Sequence, residues 1–223
     1  MAPIHHAALD GDAETLRQLL ESGESPDALY HENAFHLTKT PLHLLCLRDN
    51  GGDRAACFEL LRDAGANLEA SDSKGYRPLH FAAERGKKKM VSLLVQARVN
   101  VDATGNGGVT ALHLAGRRGA ADCVEVLLAA GAGLDARTSA GWRPFDLALK
   151  HRSRRMWPLF LRAGAEIPTD NTDPYIVRVR NAGGFQRYAQ AHVVRIASIL
   201  ATPLLPPELV RKVLEFWLHA GFY

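Results

Sequence analysis

Histidine is the residue in this chain that most readily suggests chemistry, because ten of the 223 residues are histidines. Neutral imidazole binds zinc well, but a zinc site needs further His, Cys or carboxylate ligands at short, defined spacing. The pairs His5/His6 and His31/His36 have no Cys or acidic partner at such a spacing. We therefore expect no metal ion and no cofactor.

No other set of side chains indicates catalysis or nucleotide binding. Residues 105–108 (Gly-Asn-Gly-Gly) are rich in glycine but do not complete a phosphate-binding fingerprint. The cysteines Cys46, Cys57 and Cys123 are odd in number and lack Cys-x-x-Cys spacing, which is typical of buried thiols in a reducing compartment. We expect a protein that is not an enzyme and has no small-molecule substrate.

The composition is that of an ordinary globular protein. Hydrophobic residues make up 47% and charged residues 23%, which argues against a disordered chain. No apolar run reaches the roughly 18 residues of a membrane-spanning helix, and the N-terminus lacks the basic and apolar regions of a secretory signal. The net charge of +3 indicates no partner by itself. We expect a cytoplasmic or nuclear protein without membrane contact.

An internal repeat positions the histidines. The dipeptide Leu79-His80 recurs 33 residues later as Leu112-His113, and Gly86 recurs as Gly119. Self-similarity at a fixed period of this length indicates stacked structural repeats. We call the position of the repeated histidine the His slot. It is occupied in order by His5, His43, His80, His113 and Asp146.

Five repeats follow from the spacing between the His slot and a later glycine. The spacing is 18 residues in repeats one, four and five and 22 in repeat two, which contains an insertion, whereas Arg98 replaces the glycine in repeat three. The repeats cover about residues 2–168, and residues 169–223 form a C-terminal helical extension. The predicted helix pairs are 2–23, 40–65, 76–98, 109–131 and 142–164.

Each repeat predicts two short helices joined by a turn. Proline stands at the first helical position in Pro41, Pro78 and Pro144, where its missing N–H costs nothing. Apolar residues follow at helical spacing, and glycine stands after the second helix, where a left-handed conformation is common. Arg98 at that position should cost about 1 kcal/mol relative to glycine if it is left-handed; the alternative is that the helix ends differently there.

The patterns Pro-Leu-His-x-Ala-Ala-x-x-Gly and Leu-Leu-x-x-Gly-Ala, which organise residues 75–136, resemble the ankyrin repeat. The resemblance implies an all-α solenoid of helix-turn-helix units with short β-hairpin fingers. It also implies that the slot histidines form backbone hydrogen bonds between neighbouring repeats, and that partners bind the concave face of fingers and first helices. The second helix of repeat five is apolar on all sides, so we expect the C-terminal helices to cap it.

The variable positions of that concave face are the predicted contacts for a partner protein or peptide. Tyr, Trp and Arg are the residue types that dominate interface hot spots. Arg77 and Arg143 replace a capping Thr, which indicates another use, whereas Tyr76 and Trp142 could instead pack along the fingers. The predicted contacts are Tyr30, Phe35, Tyr76, Arg77, Phe81, Val109, Trp142 and Arg143.

The turns between paired helices form a second candidate surface, which we call the basic stripe. Stacking would align the basic turns of repeats three to five, whereas the turn of repeat one is acidic. An acidic peptide suits this surface better than nucleic acid, because few aromatic residues accompany it; a solvated edge is the alternative interpretation. The basic stripe consists of Arg85, Lys87, Lys88, Lys89, Arg117, Arg118, Arg152, Arg154 and Arg155.

The tail leaves two functions open. The first is a non-catalytic scaffold or adaptor that the tail only caps. The second is a substrate receptor of a cullin-type ubiquitin ligase, recruited through residues 185–223, because ankyrin repeats followed by a short helical segment look like the ankyrin-and-SOCS-box family. Residues 205–210 are also similar to the opening of an F-box. Residues 193–200 lack the SOCS-box Cys, however, and the chain after Leu205 is short for an F-box.

Overall fold

The structure, a computed structural model, describes residues 2–32, 37–48 and 52–200 and also Glu208. The chain divides between Met156 and Trp157 into two compact units. The first unit is built of short helices that follow one another in pairs. They are α1 (Pro3–Asp10), α2 (Ala13–Glu21), α3 (Pro41–Leu45), α4 (Arg54–Asp63), α5 (Pro78–Glu84), α6 (Lys88–Gln96), α7 (Ala111–Arg118), α8 (Ala121–Ala129) and α9 (Pro144–Lys150).

The helices of the first unit form two parallel layers. In each of the first four repeats the first helix contacts the second, as in the pairs α1/α2 and α7/α8. The first helices also contact one another in order from α1 through α3, α5 and α7 to α9, and the second helices do so from α2 to α8. The mostly helical fold predicted from the repeat is confirmed, since a helix pair too small to bury its own apolar face is covered by its neighbours.

The helix ends follow local rules in most repeats. Proline opens α1, α3, α5 and α9. The carboxylates of Asp12 and Asp53 cap α2 and α4 by accepting backbone N–H groups of Thr15 and Ala56, each at 3.0 Å. The N-cap residue of α6 is instead Lys87, whose side chain makes no such capping hydrogen bond.

The core lies between the two layers. It consists mainly of aliphatic side chains with a few aromatic ones, and alanines such as Ala82 and Ala115 are fully buried where first helices approach closely. The largest fully buried side chains of this unit are Phe58, Phe145, Ile4, Leu16, Leu42, Leu45, Leu61, Leu94, Leu112, Leu127 and Met156.

The loops between repeats form the fingers. The first finger is the longest, and it contains an antiparallel hairpin of β1 (Tyr30–Glu32) and β2 (Leu37–Lys39), with Tyr30 opposite Lys39. The later fingers are tight turns. They are joined to one another by backbone hydrogen bonds, from Asn106 to Lys74 at 2.9 Å and from Ser139 to Gly107 at 2.7 Å.

The second unit begins with α10 (Trp157–Arg162), followed by α11 (Pro174–Asn181) and α12 (Phe185–Leu200). The helix α12 contacts both α10 and α11. Tyr175 links them, because its ring lies 6.2 Å from the ring of Trp157 and 5.7 Å from that of Tyr188. Of residues 185–223, to which the ligase alternative assigns recruitment, 185–200 form α12, whereas 201–207 and 209–223 lie outside the described residues. Within the described ranges, no helix is long and apolar enough to cross a bilayer.

Two arginines occupy glycine positions. Arg98 has a φ of 60°, whereas Gly65 and Gly131 occupy the same position in other repeats with φ of 83° and 84°. Arg152, predicted only as a member of the basic stripe, has a φ of 53° in the turn position that Gly119 fills in repeat four. A left-handed conformation brings Cβ close to the following carbonyl group, so both arginines store strain that glycine avoids.

The strain at Arg98 predicts a pair of opposite substitutions. Arg98→Gly should raise the free energy of unfolding by about 1 kcal/mol, and Gly131→Arg should lower it by about the same amount, because a side chain costs roughly that much at positive φ. Urea unfolding with unchanged slope measures both changes. If Arg98→Gly were destabilising, its side chain would make contacts that outweigh the strain.

Candidate functional site

The finger side of the first unit is organised by four buried histidines, His5, His43, His80 and His113, which we call the histidine ladder. The Nε2 atoms of His43, His80 and His113 lie 3.1, 3.1 and 3.0 Å from backbone carbonyl oxygens about one repeat further along the chain. The accepting carbonyls belong to Tyr76, Val109 and Trp142, respectively. His5 differs, because its Nε2 lies 2.8 Å from the carbonyl oxygen of Ala28 in the long first finger.

The other ring nitrogen determines the tautomer of these histidines. Nδ1 of His80 accepts the backbone N–H of Arg77 at 3.1 Å, and Nδ1 of His113 accepts that of Thr110 at 3.1 Å. A nitrogen that accepts a hydrogen bond has no proton, so the proton is on Nε2, which donates to the carbonyl. Protonating Nδ1 would make it a second N–H donor facing the backbone N–H that it now accepts. The neutral ring is therefore the form that fits.

Asp146 fills the His slot of repeat five with a shorter side chain. Its carboxylate accepts the backbone N–H of Arg143 at 2.9 Å, which reproduces the helix-capping half of the histidine's role. A carboxylate cannot donate to a carbonyl group. The donor half of the ladder therefore ends at His113 within the described residues.

Burial makes the ladder sensitive to pH. Loss of hydration lowers the pKa of His5, His43, His80 and His113 below the ordinary value of 6.5, and this effect exceeds the opposing effect of their backbone hydrogen bonds.

Among the described residues, no three or more His, Cys, Asp or Glu side chains form a group that could hold a metal ion. These buried imidazoles thus have a structural explanation.

The backbone that the ladder holds belongs to the predicted partner contacts. The N-cap residue of a first helix is directly preceded by Tyr76, Val109 or Trp142. The backbone carbonyl of each accepts a hydrogen bond from a histidine. Their backbone positions are fixed, whereas their side chains lie on the finger side. The structure brings these three predicted positions into one repeating row.

The two large aromatic residues of this row differ in their surroundings. Tyr76 lies edge-on to His80 and Phe81, with centroid distances of 5.4 and 6.4 Å. A Cβ on Gly105 of the next finger would lie 2.6 Å from the Tyr76 ring, so the finger backbone packs directly against that ring. Trp142 is 40% exposed, and the Nζ of Lys150 lies 4.6 Å from its ring centroid. Packing therefore explains Tyr76 better than it explains Trp142.

The remaining predicted aromatic contacts lie nearer the first repeats. The Tyr30 ring lies 5.7 Å from His5. Phe81 is half-buried and edge-on to His43 at 5.3 Å. Phe35 lies outside the described residues.

The two predicted arginine contacts form ion pairs with their own fingers. Arg77 Nη1 lies 2.6 Å from a Glu69 carboxylate oxygen, and Arg143 Nε lies 3.7 Å from Asp135. Both arginine side chains are less than one-third exposed. The two arginines that replace a capping Thr therefore each form an ion pair within the chain.

A second ladder of carboxylates was missed by the sequence interpretation. Asp27 accepts the backbone N–H of Asn67 at 3.0 Å, and Asp102 accepts that of Gly133 at 2.8 Å. Glu69 accepts the N–H of Asn100 in the same way. The 33-residue recurrence of acidic residues at 69, 102 and 135 was the available signal.

Sequence interpretation also missed two lysines beside the predicted aromatic contacts. Lys39 directly precedes the N-cap residue Thr40, so it occupies the position that Tyr76 occupies one repeat later. The Nζ of Lys39 lies 5.9 Å from the Phe81 ring centroid. Lys150 lies over Trp142. The register of the repeat could have identified Lys39, whereas only the tertiary structure brings Lys150 to Trp142.

The basic stripe lies on the opposite edge, where the first helices end and the second begin, and its residues are exposed except for the half-buried Lys87. Its charge is partly neutralised, because Glu84 lies 2.8 Å from Arg117 and 3.6 Å from Arg118, and Asp122 lies 3.9 Å from Lys88. These pairs are solvent-exposed and contribute little to stability. The stripe is therefore a mixed surface in repeats three and four, with a net positive charge.

The histidine ladder predicts acid sensitivity. Since the folded-state pKa values are lowered, the unfolded chain binds more protons below pH 6.5, so the stabilisation is complete above about pH 6.5 and is lost as the pH falls further. Each histidine adds a slope of up to about 1.4 kcal/mol per pH unit. Urea unfolding at several pH values between about 5 and 8 measures it.

The variant His113→Gln is the matched control for this slope. It removes one titrating group. The slope of its unfolding free energy against pH should therefore correspond to the uptake of roughly one proton fewer than in the original chain. Stability that is constant or rises on acidification would contradict the assignment.

The unequal packing of Tyr76 and Trp142 predicts unequal stability losses. Tyr76→Ala should lower the free energy of unfolding by roughly 2 kcal/mol, because it opens a void between two fingers. Trp142→Ala should cost about half of that or less, since the ring is more exposed. Thermal or urea unfolding of the two variants tests the order, and a larger loss for Trp142→Ala would reverse it.

Comparison with known proteins gives a consistent family. A family model described as ankyrin repeats, with three copies, matches residues 4–104 and 49–138. Ankyrin repeat domain-containing protein 53 of Homo sapiens is 39% identical over 83 residues, which are 37% of this chain and 15% of that protein. Inversin of Danio rerio is 34% identical over 92 residues, 41% of this chain and 8% of that protein.

NF-kappa-B inhibitor alpha of Gallus gallus is 32% identical over 91 residues, 41% of this chain and 27% of that protein. Each alignment thus spans less than a third of the curated relative. The matched residues of the family model nevertheless extend from 4 to 138, which is more than half of this chain. Together with the paired helices and the histidine ladder, this match shows that the chain belongs to the ankyrin repeat family.

Proposed function

We propose that this chain is a non-catalytic scaffold or adaptor that binds a partner protein or peptide through the finger side of its first unit. Ankyrin repeats are general protein-interaction modules, and the relatives include a protein named as an inhibitor, NF-kappa-B inhibitor alpha. Another similar protein, diacylglycerol kinase iota of Homo sapiens, is named as an enzyme, but the alignment covers 8% of it. The relatives' different names identify no common partner.

The exposed ring of Trp142 is the observation that supports this proposal most directly. A tryptophan that is 40% exposed next to a cation gives a partner both apolar surface and a charged group. Its backbone carbonyl is held by His113 at 3.0 Å, so little backbone freedom at this residue is lost on binding. Rigid aromatic anchors of this kind dominate interface energies.

The neighbouring positions extend the same surface. Val109 and the Tyr76 ring lie in the same row, and Phe81 with Lys39 repeats the combination of ring and ammonium group seen at Trp142. Arg77 and Arg143 would present their charges at its edge, shared with Glu69 and Asp135. We propose that a partner contacts this row rather than a single residue.

The thiols support a reducing compartment, in the cytoplasm or nucleus. Cys46, Cys57 and Cys123 are all free and buried. Burial raises the pKa of Cys46 to about 12 and that of the other two to about 11, which keeps them as unreactive thiols. Their role is that of small apolar side chains.

A quantitative capture experiment tests the finger-side proposal. The full chain and its Trp142→Ala variant are immobilised, exposed to lysate of the source organism and compared by mass spectrometry. A direct partner should be depleted at least about fivefold on the variant, as expected for loss of an aromatic anchor. Val194→Ala is the matched control, because Val194 is an apolar residue on α12 that is 64% exposed. Equal capture by all three proteins would contradict the proposal.

The same experiment tests recruitment to a ubiquitin ligase. If the tail recruits the ligase, cullin, elongin or Skp-like proteins should be captured by the full chain and lost when residues 185–223 are removed. Loss of those proteins with retention of the Trp142-dependent partner would support the receptor function. Their absence from the full-chain capture would contradict it.

A further inference from the structure

A cleft opens between repeats two and three, on the edge opposite the fingers. It has a volume of about 400 Å³ and lies between the start of α4 and the start of α6. The lining side chains fall into two kinds, a basic rim and an aliphatic floor. The rim includes Arg48, Arg54, Lys87, Lys88 and Lys89.

The described residues of the rim carry an excess of positive charge. Among the described lining residues Asp53 is the acidic one, and its carboxylate already accepts the backbone N–H of Ala56 at 3.0 Å. Arg54 donates to the carbonyl oxygens of Leu45 and Leu9 at 2.7 and 2.8 Å, so its charge is held in place by neutral groups. Its Nε is buried and makes no hydrogen bond within the described structure.

The ion pair of Lys88 with Asp122 does not close the cleft. The two atoms are 3.9 Å apart, and both side chains are more than half exposed. Water screens such a pair, and a ligand that approaches both Lys88 and Lys89 can compete with it.

The start of α6 reverses the charge found in the earlier repeats. Asp12 and Asp53 cap α2 and α4 with carboxylates, whereas Lys87 stands at the same place before α6 and is followed by two more lysines. Cations are unfavourable at the N-terminal end of a helix, where the macrodipole is positive. A negatively charged ligand in the cleft would be favoured at this helix end both by the lysines and by the macrodipole.

The floor of the cleft determines what else the ligand contains. Ala55 and Leu93 are half-buried and supply apolar surface, above the buried side chains of Leu45 and Met90. None of the described residues that line the cleft is aromatic, so a nucleic acid base would find no ring among them on which to stack. Aliphatic side chains of a peptide match this floor, and three lysines suit several separate carboxylates better than one planar group.

We propose that this cleft binds an acidic segment of a partner protein, with carboxylates on the lysine rim and an aliphatic side chain on the floor. The inference rests on the proposed protein-binding function and adds a second contact on the turn edge. The segment would bind by a combination of charge and apolar contact, so its affinity should fall as salt rises.

A defined peptide tests the cleft without any natural partner. The probe is a fluorescein-labelled peptide of about nine residues built from repeated Glu-Glu-Leu, long enough to cross the cleft at roughly 3.3 Å per residue. Fluorescence polarisation with the full chain should show saturable binding at about 50 mM NaCl and weaker binding at about 300 mM. The same peptide with Gln for Glu, or with Gly for Leu, should bind at least about tenfold more weakly.

Two charge reversals separate the cleft from the general field of the stripe. Lys89→Glu should weaken binding of the Glu-Glu-Leu peptide roughly tenfold, and it should fold well because an acidic residue suits the first turn of α6. Arg155→Glu makes the same change of net charge at an exposed stripe residue that does not line the cleft. It should change affinity less than about twofold.

Other outcomes would overturn the proposal. Equal losses in Lys89→Glu and Arg155→Glu would indicate non-specific attraction. Equal binding of the Gly-for-Leu peptide would exclude the apolar floor, and tighter binding of an oligothymidylate of similar length would indicate nucleic acid instead. The Trp142→Ala variant should bind the peptide as the original chain does, so failure of the cleft and failure of the finger-side site are distinguishable.

Discussion

The hydrogen bond from a buried imidazole to the carbonyl group of the next repeat is the interaction on which the rest of the first unit depends. One ring satisfies two backbone groups, since Nδ1 of His113 accepts from Thr110 and Nε2 donates to Trp142. These backbone groups would be costly to bury without partners. The ring also has to be neutral and in one tautomer, which couples the stacking of the repeats to the protonation state of the histidines.

Because the histidine bonds to backbone atoms, the repeat must keep the histidine but can vary the side chain of the residue that it contacts. The histidine contacts the backbone of Tyr76, Val109 and Trp142 and leaves their side chains unspecified. A repeat can therefore exchange the side chain in the row without loss of the hydrogen bond that positions it. The carboxylates of Asp27, Glu69 and Asp102 act in the same way on backbone N–H groups of the following repeat.

The finger side and the turn edge differ in their chemistry. On the finger side, aromatic rings lie next to single cations, as Trp142 does with Lys150, and arginines are paired with carboxylates. On the turn edge, the lysines of repeat three surround a cleft with an aliphatic floor. Both departures from the regular repeat have a local cost, either a missing helix cap or a cation at a helix N-terminus.

The sequence by itself determined the repeat, the helix pairs and the family, because those follow from local rules. The His slot, the prolines at helix starts and the glycines at left-handed positions recur at fixed spacing, and each has its own physical reason. The same register predicted that Arg98 takes a strained position. Six of the eight predicted partner contacts, Tyr30 and Phe35 excepted, also fall on the periodic frame, which is why the sequence could name them.

Only the tertiary structure decided which of those side chains are available, because availability depends on residues far apart in sequence. Tyr76 packs on Gly105 of the next finger, whereas Trp142 remains exposed beside Lys150. Arg77 is neutralised by Glu69, and the cleft joins Leu45 and Arg54 of one repeat to Lys89 and Leu93 of the next. The repeat period specifies the backbone position from which a side chain extends. The surroundings of that side chain come from the neighbouring repeat and are set by how the repeats stack.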